Sequence, residues 1–203
     1  EAVNKLNYGQ VPVVIKPCIG NGSRGIRVLD GKADRFDLLF NQKPNSIFST
    51  LDEVLTSIGD KKIPKLVVSE YLPGVELTID TIINKGTLLD CLIRTRTSIN
   101  SGISTAGSFI DNKEIYEYVD KIASSMPGLQ GPVGFQVKKS AKGRYLLLES
   151  NPRIQGTSVA ALGLGVNLPL RAVNQALGVS LESLPKHSGI SFVRYYQEAF
   201  YDS

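Results

Sequence analysis

The most constraining feature of the sequence is a pair of apolar segments, residues 131–137 and 145–151, separated by a short turn. Two such runs flanking a turn predict a β-hairpin. The second run ends in the polar residues Glu149 and Asn151, and Pro152 stops the strand. Because residues two apart in a strand point the same way, Glu149 and Asn151 share one face of the hairpin.

The turn decides which residue of the first strand lies opposite these side chains. A two-residue turn at 142–143 pairs Ala141 with Arg144. Counting back along both strands then places Gln136 opposite Glu149. A four-residue loop would move the register by two and leave Gln136 on the same face. The hairpin therefore predicts that side-chain oxygens from both strands converge.

Carboxylate and amide oxygens at one place suit Mg²⁺, which usually takes one or two carboxylates and completes its shell with water and phosphate oxygens. The candidate metal ligands are Gln136, Glu149 and Asn151, and Arg153 lies just beyond them. The alternative is a buried strand whose polar end simply meets solvent.

Composition and charge exclude several classes of protein. With 203 residues, 42% hydrophobic and 21% charged, the chain has an ordinary globular composition. No apolar run approaches the roughly 18 residues that cross a bilayer, so we expect no membrane partner and a cytoplasmic location. A net charge of +4, scattered lysines and the absence of Trp do not indicate nucleic-acid binding. Cys18 and Cys91 lack metal-ligand spacing and predict reduced thiols.

The rest of the chain mixes strands with helices. Besides the hairpin, the predicted strands are residues 11–16, 26–29, 65–72, 76–83, 87–96 and 190–196; the predicted helices are 1–6, 33–42, 51–58, 114–126, 156–163 and 168–177; and residues 100–107 are predicted to be a loop. Ser49 and Thr50 are candidate N-caps of the third helix, with Glu53 in capping-box position. Strands joined by hairpins favour an α+β fold over a doubly wound parallel sheet.

A glycine-rich segment, residues 20–25, lies between the first two predicted strands and begins four residues after Lys16. Its glycines and serine could offer several backbone N–H groups to an anion. The lysine precedes the glycines and a strand follows them, so this is not the Walker pattern. A plain surface turn fits the same residues.

Three further basic residues stand out in the sequence. Arg94 and Arg96 share one face of their predicted strand, where the residues alone predict solvated arginines at a sheet edge. His187 is predicted to be a surface residue of a loop rather than a catalytic one.

The order of these residues resembles the ATP-grasp fold, with its closest likeness to the ATP-binding halves of carbamoyl-phosphate synthetase large subunits and their relatives. The likeness extends from residue 11 to about residue 178. It rests on Lys16, the 20–25 segment, Glu70, Glu76, Gln136, Glu149, Asn151 and Arg153.

The resemblance implies an α+β ATP-grasp fold with two subdomains. Residues 1–72 would form the small lid, and residues 73–203 the larger antiparallel-sheet lobe with the metal and phosphate site. Family members carry an N-terminal lobe ahead of the Lys16 strand. This sequence lacks that lobe and starts at Glu1 instead of Met, so we expect a fragment or a processed product of a longer protein.

The resemblance also implies ligand contacts. The residues that would hold ATP are Lys16, Gly20, Gly22, Ser23, Glu70, Leu72 and Glu76. Lys16 and the 20–25 segment would contact the phosphates, Glu70 and Leu72 the adenine, and Glu76 the ribose.

For the metal, the resemblance implies that Glu149 would bridge two Mg²⁺ (or Mn²⁺) ions, with Gln136 and Asn151 completing one site each. Arg153 would hold the γ-phosphate or the acyl-phosphate made from it. Arg153 and Lys16 are therefore the catalytic candidates.

The implied activity is that of an ATP- and Mg²⁺-dependent ligase. A carboxylate or bicarbonate would become an acyl-phosphate, which an amine or ammonia would attack, and an amidotransferase partner could supply the ammonia. One departure puts the bicarbonate option in doubt: the family run Gly-Ile-His-Thr-Gly-Asp reads Gly-Ile-Ser-Thr-Ala-Gly at 102–107, without the histidine. A second departure is Gly134, which stands where the family usually has an asparagine. Arg94 and Arg96 resemble basic residues of looser relatives that ligate amino acids, and that resemblance would direct them at the substrate. A nucleotide-binding regulatory module without turnover and an amino-acid ligase of the same superfamily remain alternatives.

Overall fold

The structure, a computed structural model, describes residues 1–20, 24–42, 46–100, 102–186 and 188–202. Gly22, Ser23 and His187, which the sequence analysis singled out, lie outside these ranges. The chain separates into two compact units, Glu1–Leu72 and Pro73–Ser203. Within the described ranges, no helix combines the length and apolarity needed to cross a membrane.

The smaller unit packs two helices against a sheet. Its elements are α1 (Ala2–Lys5), β1 (Val13–Pro17), β2 (Arg27–Leu29), α2 (Arg35–Phe40), β3 (Phe48–Ser49), α3 (Leu51–Ile58) and β4 (Leu66–Glu70). The strand order is β3-β2-β1-β4, and β1 is antiparallel to both of its neighbours. Val13, Ile15 and Leu29 form the core, against residues of α1 and α3. The pairing of β1 with β2 confirms the predicted strands on either side of the glycine-rich segment.

A capping box starts α3, as the sequence predicts. The backbone N–H of Glu53 donates to Thr50 Oγ1 at 3.2 Å, and the backbone N–H of Thr50 donates to the Glu53 carboxylate at 2.7 Å. This second hydrogen bond is the main reason why the pKa of Glu53 is lowered.

The larger unit is built on a mainly antiparallel sheet. Its elements are β5 (Glu76–Asn84), β6 (Thr87–Thr95), β7 (Ser98–Asn100), β8 (Ile103–Ile110), α4 (Lys113–Ser124), β9 (Gly131–Lys139), β10 (Tyr145–Asn151), a 3₁₀ helix (Ser158–Leu164), α5 (Leu168–Ala176) and β11 (Ser191–Val193). The strand order is β10-β9-β5-β6-β8-β11, with β7 paired to β8. Sheets and helices together give the α+β fold that the sequence predicts.

One predicted element of this unit is wrong, and a second is a helix of another type. The loop predicted at 100–107 is largely strand in its described part, because Asn100 ends β7 and pairs with Ile103 at the start of β8. The helix predicted at 156–163 is instead the 3₁₀ helix at Ser158–Leu164, which ends at Gly165 in the left-handed conformation.

Each face of the large sheet has its own cover. Ile115, Val119 and Ala123, spaced by four residues on α4, pack with Ile79, Phe135 and their neighbours on one face. On the other face, Ile82, Leu92 and Phe109 pack beneath the 3₁₀ helix and the start of α5. This second cover reaches only part of the face, and the candidate site occupies the remainder.

Candidate functional site

The β9–β10 hairpin pairs Gln136 with Glu149, which confirms the register predicted from the sequence. The turn itself differs from the prediction. The backbone N–H of Ser140 donates to Arg144 O at 2.8 Å, so three residues, 141–143, form the loop, and Gly143 has φ 79°. A strictly regular register from this loop would pair Gln136 with Leu148. A β-bulge between Leu147 and Glu149 adds one residue and restores the pairing with Glu149.

The strand registers align polar side chains in two neighbouring rows across one sheet face. One row contains Glu149, Gln136, Thr78 and Arg94, and the next contains Asn151, Gly134 and Asp80. Directly paired residues of antiparallel strands share a face. The predicted metal ligands Gln136, Glu149 and Asn151 therefore lie together on the face that the 3₁₀ helix and α5 leave uncovered.

The acidic member of this set faces solvent. Glu149 is exposed, and among the described residues it forms no ion pair. The Asn151 side-chain amide donates to Glu149 Oε1. Arg153, two residues further, is also exposed, and its Nη1 donates to Ile154 O at 3.0 Å. The uncompensated carboxylate is thus accessible to a cation, with an amide beside it.

Arg96 joins Glu76 to Gln136 on the same face. Its Nη1 donates to both the Glu76 carboxylate and Gln136 Oε1, the latter at 3.0 Å. Its Nε donates to Ser104 Oγ at 3.1 Å, and its Nη2 to Gly102 O at 2.6 Å. Arg96 therefore orients the Gln136 amide and holds the start of β8 beside it. Glu76, the predicted ribose ligand, is the counter-ion of this guanidinium.

Arg94 is a buried residue, so both sequence readings of it, a solvated edge or a substrate contact, are wrong. Its side chain is 1% exposed, and its Nη2 lies 2.5 Å from Asp80 Oδ2. Its Nη1 donates to Thr157 O at 2.9 Å. The guanidinium lies 5.8 Å from the ring centre of Phe192, in cation–π range. Because Asp80 is 4% exposed, Arg94 supplies the partner of opposite charge that a carboxylate buried in the core requires.

Asp80 Oδ1 accepts hydrogen bonds from the segment after β10. Ser158 Oγ donates to it at 2.6 Å and Gln155 Nε2 at 3.1 Å. Gln155 Nε2 also donates to Ile79 O at 3.0 Å. To reach these acceptors, the Gln155 side chain crosses directly over Gly134, where a Cβ atom would overlap its Cγ and Cδ. A glycine at position 134 is therefore required by this packing contact.

The predicted nucleotide residues of the smaller unit lie on and beside two strands. Lys16 is half-buried on β1, and Glu70 is the exposed last residue of β4. The register pairs Lys16 with Val67 and Glu70 with Val13, so Lys16 and Glu70 belong to opposite faces of the sheet and do not meet. Leu72 is buried, and Gly20 is exposed.

Asp80, Gln155 and Ser158 were not among the site residues predicted from the sequence. Asp80 gave a signal, because a carboxylate in the middle of the apolar run 77–83 requires a buried partner. Period two also placed Asp80 on the face of Glu76. Gln155 and Ser158 gave no comparable signal, since they lie in a short irregular segment.

Comparisons with known proteins agree with this architecture. A family profile described as "ATP-grasp in the biosynthetic pathway with Ter operon" matches residues 62–199, more than half of the chain. No curated protein matches the sequence.

Solved structures share the fold at low sequence identity. The biotin carboxylase domain of the 2-oxoglutarate carboxylase of Hydrogenobacter thermophilus is 19% identical with a TM-score of 0.61, over 90% of this chain and 40% of that one. Biotin carboxylase from Campylobacter jejuni is 18% identical with a TM-score of 0.59, over 90% of this chain and 40% of its own. N5-carboxyaminoimidazole synthetase from Staphylococcus aureus is 10% identical with a TM-score of 0.60, over 89% and 45%.

The chain thus spans less than half the length of each of these structures. At such identities the likeness establishes the fold, and the family assignment follows from the profile match. Both confirm the resemblance found in the sequence. The chain belongs to the ATP-grasp family described as acting in the biosynthetic pathway with the Ter operon.

Proposed function

We propose that this chain is the ATP- and Mg²⁺-binding part of a ligase that forms a carbon–nitrogen bond. The γ-phosphoryl group of ATP would pass to a carboxylate, and an amine or ammonia would displace phosphate from the acyl-phosphate. The single observation that carries the proposal is the shared face of Gln136, Glu149 and Asn151, with Arg153 immediately after them.

The donor set fits Mg²⁺ held jointly with phosphate oxygens. Within the described ranges no group of three or more His, Cys, Asp or Glu side chains could hold a metal alone. One exposed carboxylate flanked by amides is instead what Mg²⁺ uses when a substrate phosphate supplies further oxygens. A bound cation of this kind would neutralise charge on the phosphoryl group in transfer.

The chain's own residues would orient the metal ligands and stabilise the negative charge of the phosphates. Arg96 fixes the direction of the Gln136 amide, and the exposed Arg153 would pair with the terminal phosphate through charge-assisted hydrogen bonds. Lys16 would contact the phosphates nearer the ribose. Glu70 and Leu72 would contact the adenine, and Glu76 the ribose.

Similar structures support the nucleotide and the reaction class. The Hydrogenobacter domain was solved with MgADP and bicarbonate, and the Staphylococcus synthetase with ADP. For this chain a carboxylate is better supported than bicarbonate. The position of the family histidine is Ser104, whose hydroxyl is buried and accepts a hydrogen bond from Arg96.

A binding experiment tests the proposal. Calorimetry on the full-length protein should show ATP affinity that rises with Mg²⁺, and Glu149→Gln should reduce this gain by about tenfold or more, since even outer-shell partners of a metal cost 10–100-fold. Glu117→Gln is the matched control, because Glu117 is an exposed carboxylate on α4 that pairs with Lys113 at 3.6 Å. An ATP affinity indifferent to Mg²⁺, or equal effects of the two substitutions, would refute the proposal.

A nucleotide-binding module without turnover is the second candidate. The internal use of Ser104 favours it, because the Ser104 hydroxyl is buried and already accepts a hydrogen bond from Arg96. Phosphate release by the full-length protein, measured with panels of carboxylates and amines, separates the two. ADP production that requires both co-substrates would exclude the second candidate.

A further inference from the structure

The segment between β10 and the 3₁₀ helix is attached to the sheet by buried polar contacts. Gln155 donates to Ile79 O and Asp80, Ser158 donates to Asp80, and Thr157 O accepts from Arg94. The backbone N–H of Gln155 also donates to Ser158 Oγ at 3.1 Å. We call this set of contacts the loop clamp.

The loop clamp contains more buried polar contacts than a segment that only covers an apolar core would need. Residues 153–157 form no helix or strand, yet Gln155 and Thr157 are each 8% exposed and Ser158 is 5% exposed. Both carboxylate oxygens of Asp80 are engaged, one by the loop and one by Arg94. Side chains locked by such networks hold adjacent functional groups to within fractions of an ångström.

The exposed residue adjacent to the clamp is Arg153. Its backbone N–H donates to Asn151 O at 2.7 Å, and Gln155 follows two residues later. Arg153 is thus held between a metal-ligand candidate and the anchored Gln155. A long exposed side chain gains from this, because fixing its backbone lowers the entropy lost when it binds.

We propose that Asp80, Arg94, Gln155 and Ser158 are positioning residues that fix Arg153 toward the terminal phosphate of the nucleotide. This inference rests on the proposed function for its ligand and on the structure for its mechanism. The clamp acts through Arg153 and touches no substrate, so its removal should weaken ATP binding more than ADP binding.

The test compares ATP and ADP affinities, with Mg²⁺, in the full-length protein. Arg153→Ala should lower the preference for ATP by about tenfold, the value of a charge-assisted contact. Gln155→Met removes the clamp's amide at similar volume, and Ser158→Ala removes its hydroxyl. Each should lower the preference by about threefold or more, and neither should add to the loss in the Arg153→Ala protein.

Arg171→Met is the matched control. Arg171 makes another partly buried arginine pair of this unit, with its Nε 2.5 Å from Asp90 Oδ2. It lies on α5, and its hydrogen-bond partners in the described part of the chain, Asp90 and Glu182, are not members of the clamp. It should lower stability without changing the ATP-to-ADP ratio. An unchanged ratio in folded Gln155→Met protein, or an equal change in Arg171→Met, would overturn the inference.

Hydrogen exchange provides a readout that needs no nucleotide. Amides of residues 153–157 should exchange faster in Gln155→Met, while those of α4 should not. Unchanged exchange at 153–157 overturns the clamp even if ATP binds. Absence of Mg²⁺-dependent ATP binding by the wild type, with exchange at 153–157 still raised in Gln155→Met, would reject the proposed function while leaving the anchoring role of the clamp intact.

Discussion

Gly134→Ala should destabilise the larger unit, although the same change in an ordinary strand is favourable. Alanine in place of glycine within a strand normally gains about 0.5–1 kcal/mol, because glycine loses more backbone freedom on folding. At position 134 the new methyl group would overlap Cγ and Cδ of Gln155. Gln155 must then move and release its hydrogen bonds to Ile79 O and Asp80 Oδ1.

The expected loss is the sum of two effects that exceed this gain. Each released hydrogen bond is worth about 1 kcal/mol, and overpacking a core typically costs about 1–3 kcal/mol. The net destabilisation is therefore roughly 2–4 kcal/mol. Hydrogen exchange of the β5 and β9 amides measures it in the larger unit by itself.

Two further variants test whether the contact with Gln155 causes this destabilisation. Gly163→Ala is the control, because a Cβ there meets open space and its φ is not positive, so it should be neutral or stabilising by up to about 1 kcal/mol. In a Gln155→Ala background the obstruction is gone, and Gly134→Ala should then stop being destabilising. A Gly134→Ala protein as stable as the wild type would show that Gln155 does not occupy this space.

Three further measurements address other parts of the molecule. Thr50→Ala removes the cap of α3 and should destabilise the smaller unit by about 1 kcal/mol, measured by hydrogen exchange of α3 amides. Because the pKa of Glu53 is lowered, its contribution is present above its ordinary value of 4.5 and is lost as the pH falls below it, so Glu53→Gln should flatten the acid side of the stability curve. Burial raises the pKa of Cys91 to about 12 whereas Cys18 is exposed, so a thiol reagent at pH 8 should modify one cysteine in the native protein and two in denaturant; rapid modification of both in the native state would contradict this burial.

The positions of the metal-ligand candidates could be predicted from the sequence, but the buried hydrogen bonds behind them could not. Glu149 and Asn151 are two residues apart, so strand geometry alone puts them on one face. The pairing of Gln136 with Glu149 was also predicted correctly, although the prediction assumed a two-residue turn and the structure has a three-residue loop and a bulge. A bulge is a departure from period two that local preferences do not specify.

Contacts between residues that are distant in the sequence explain the features that were predicted wrongly. Arg94 is buried because Asp80, on the adjacent strand, neutralises it, and nothing near Arg94 in the sequence indicates this. The sequence of residues 100–107 is small and polar, as is typical of a loop, yet β7 and β11 pair with residues 103–107. In both cases tertiary contacts override local preference.

Because of the bulge at Leu148, the odd-numbered residues of β10 lie on one face of the sheet before the bulge and on the opposite face after it. Tyr145 and Leu147 pair with Lys139 and Val137, and Tyr145 packs toward α4. Glu149 and Asn151 emerge on the reverse side, which uninterrupted alternation would forbid. Deletion of Leu148 would leave a regular strand in which every remaining side chain keeps its face, so the hairpin should tolerate it. Deletion of Ser150, between Glu149 and Asn151, would instead move the following side chains to the wrong face.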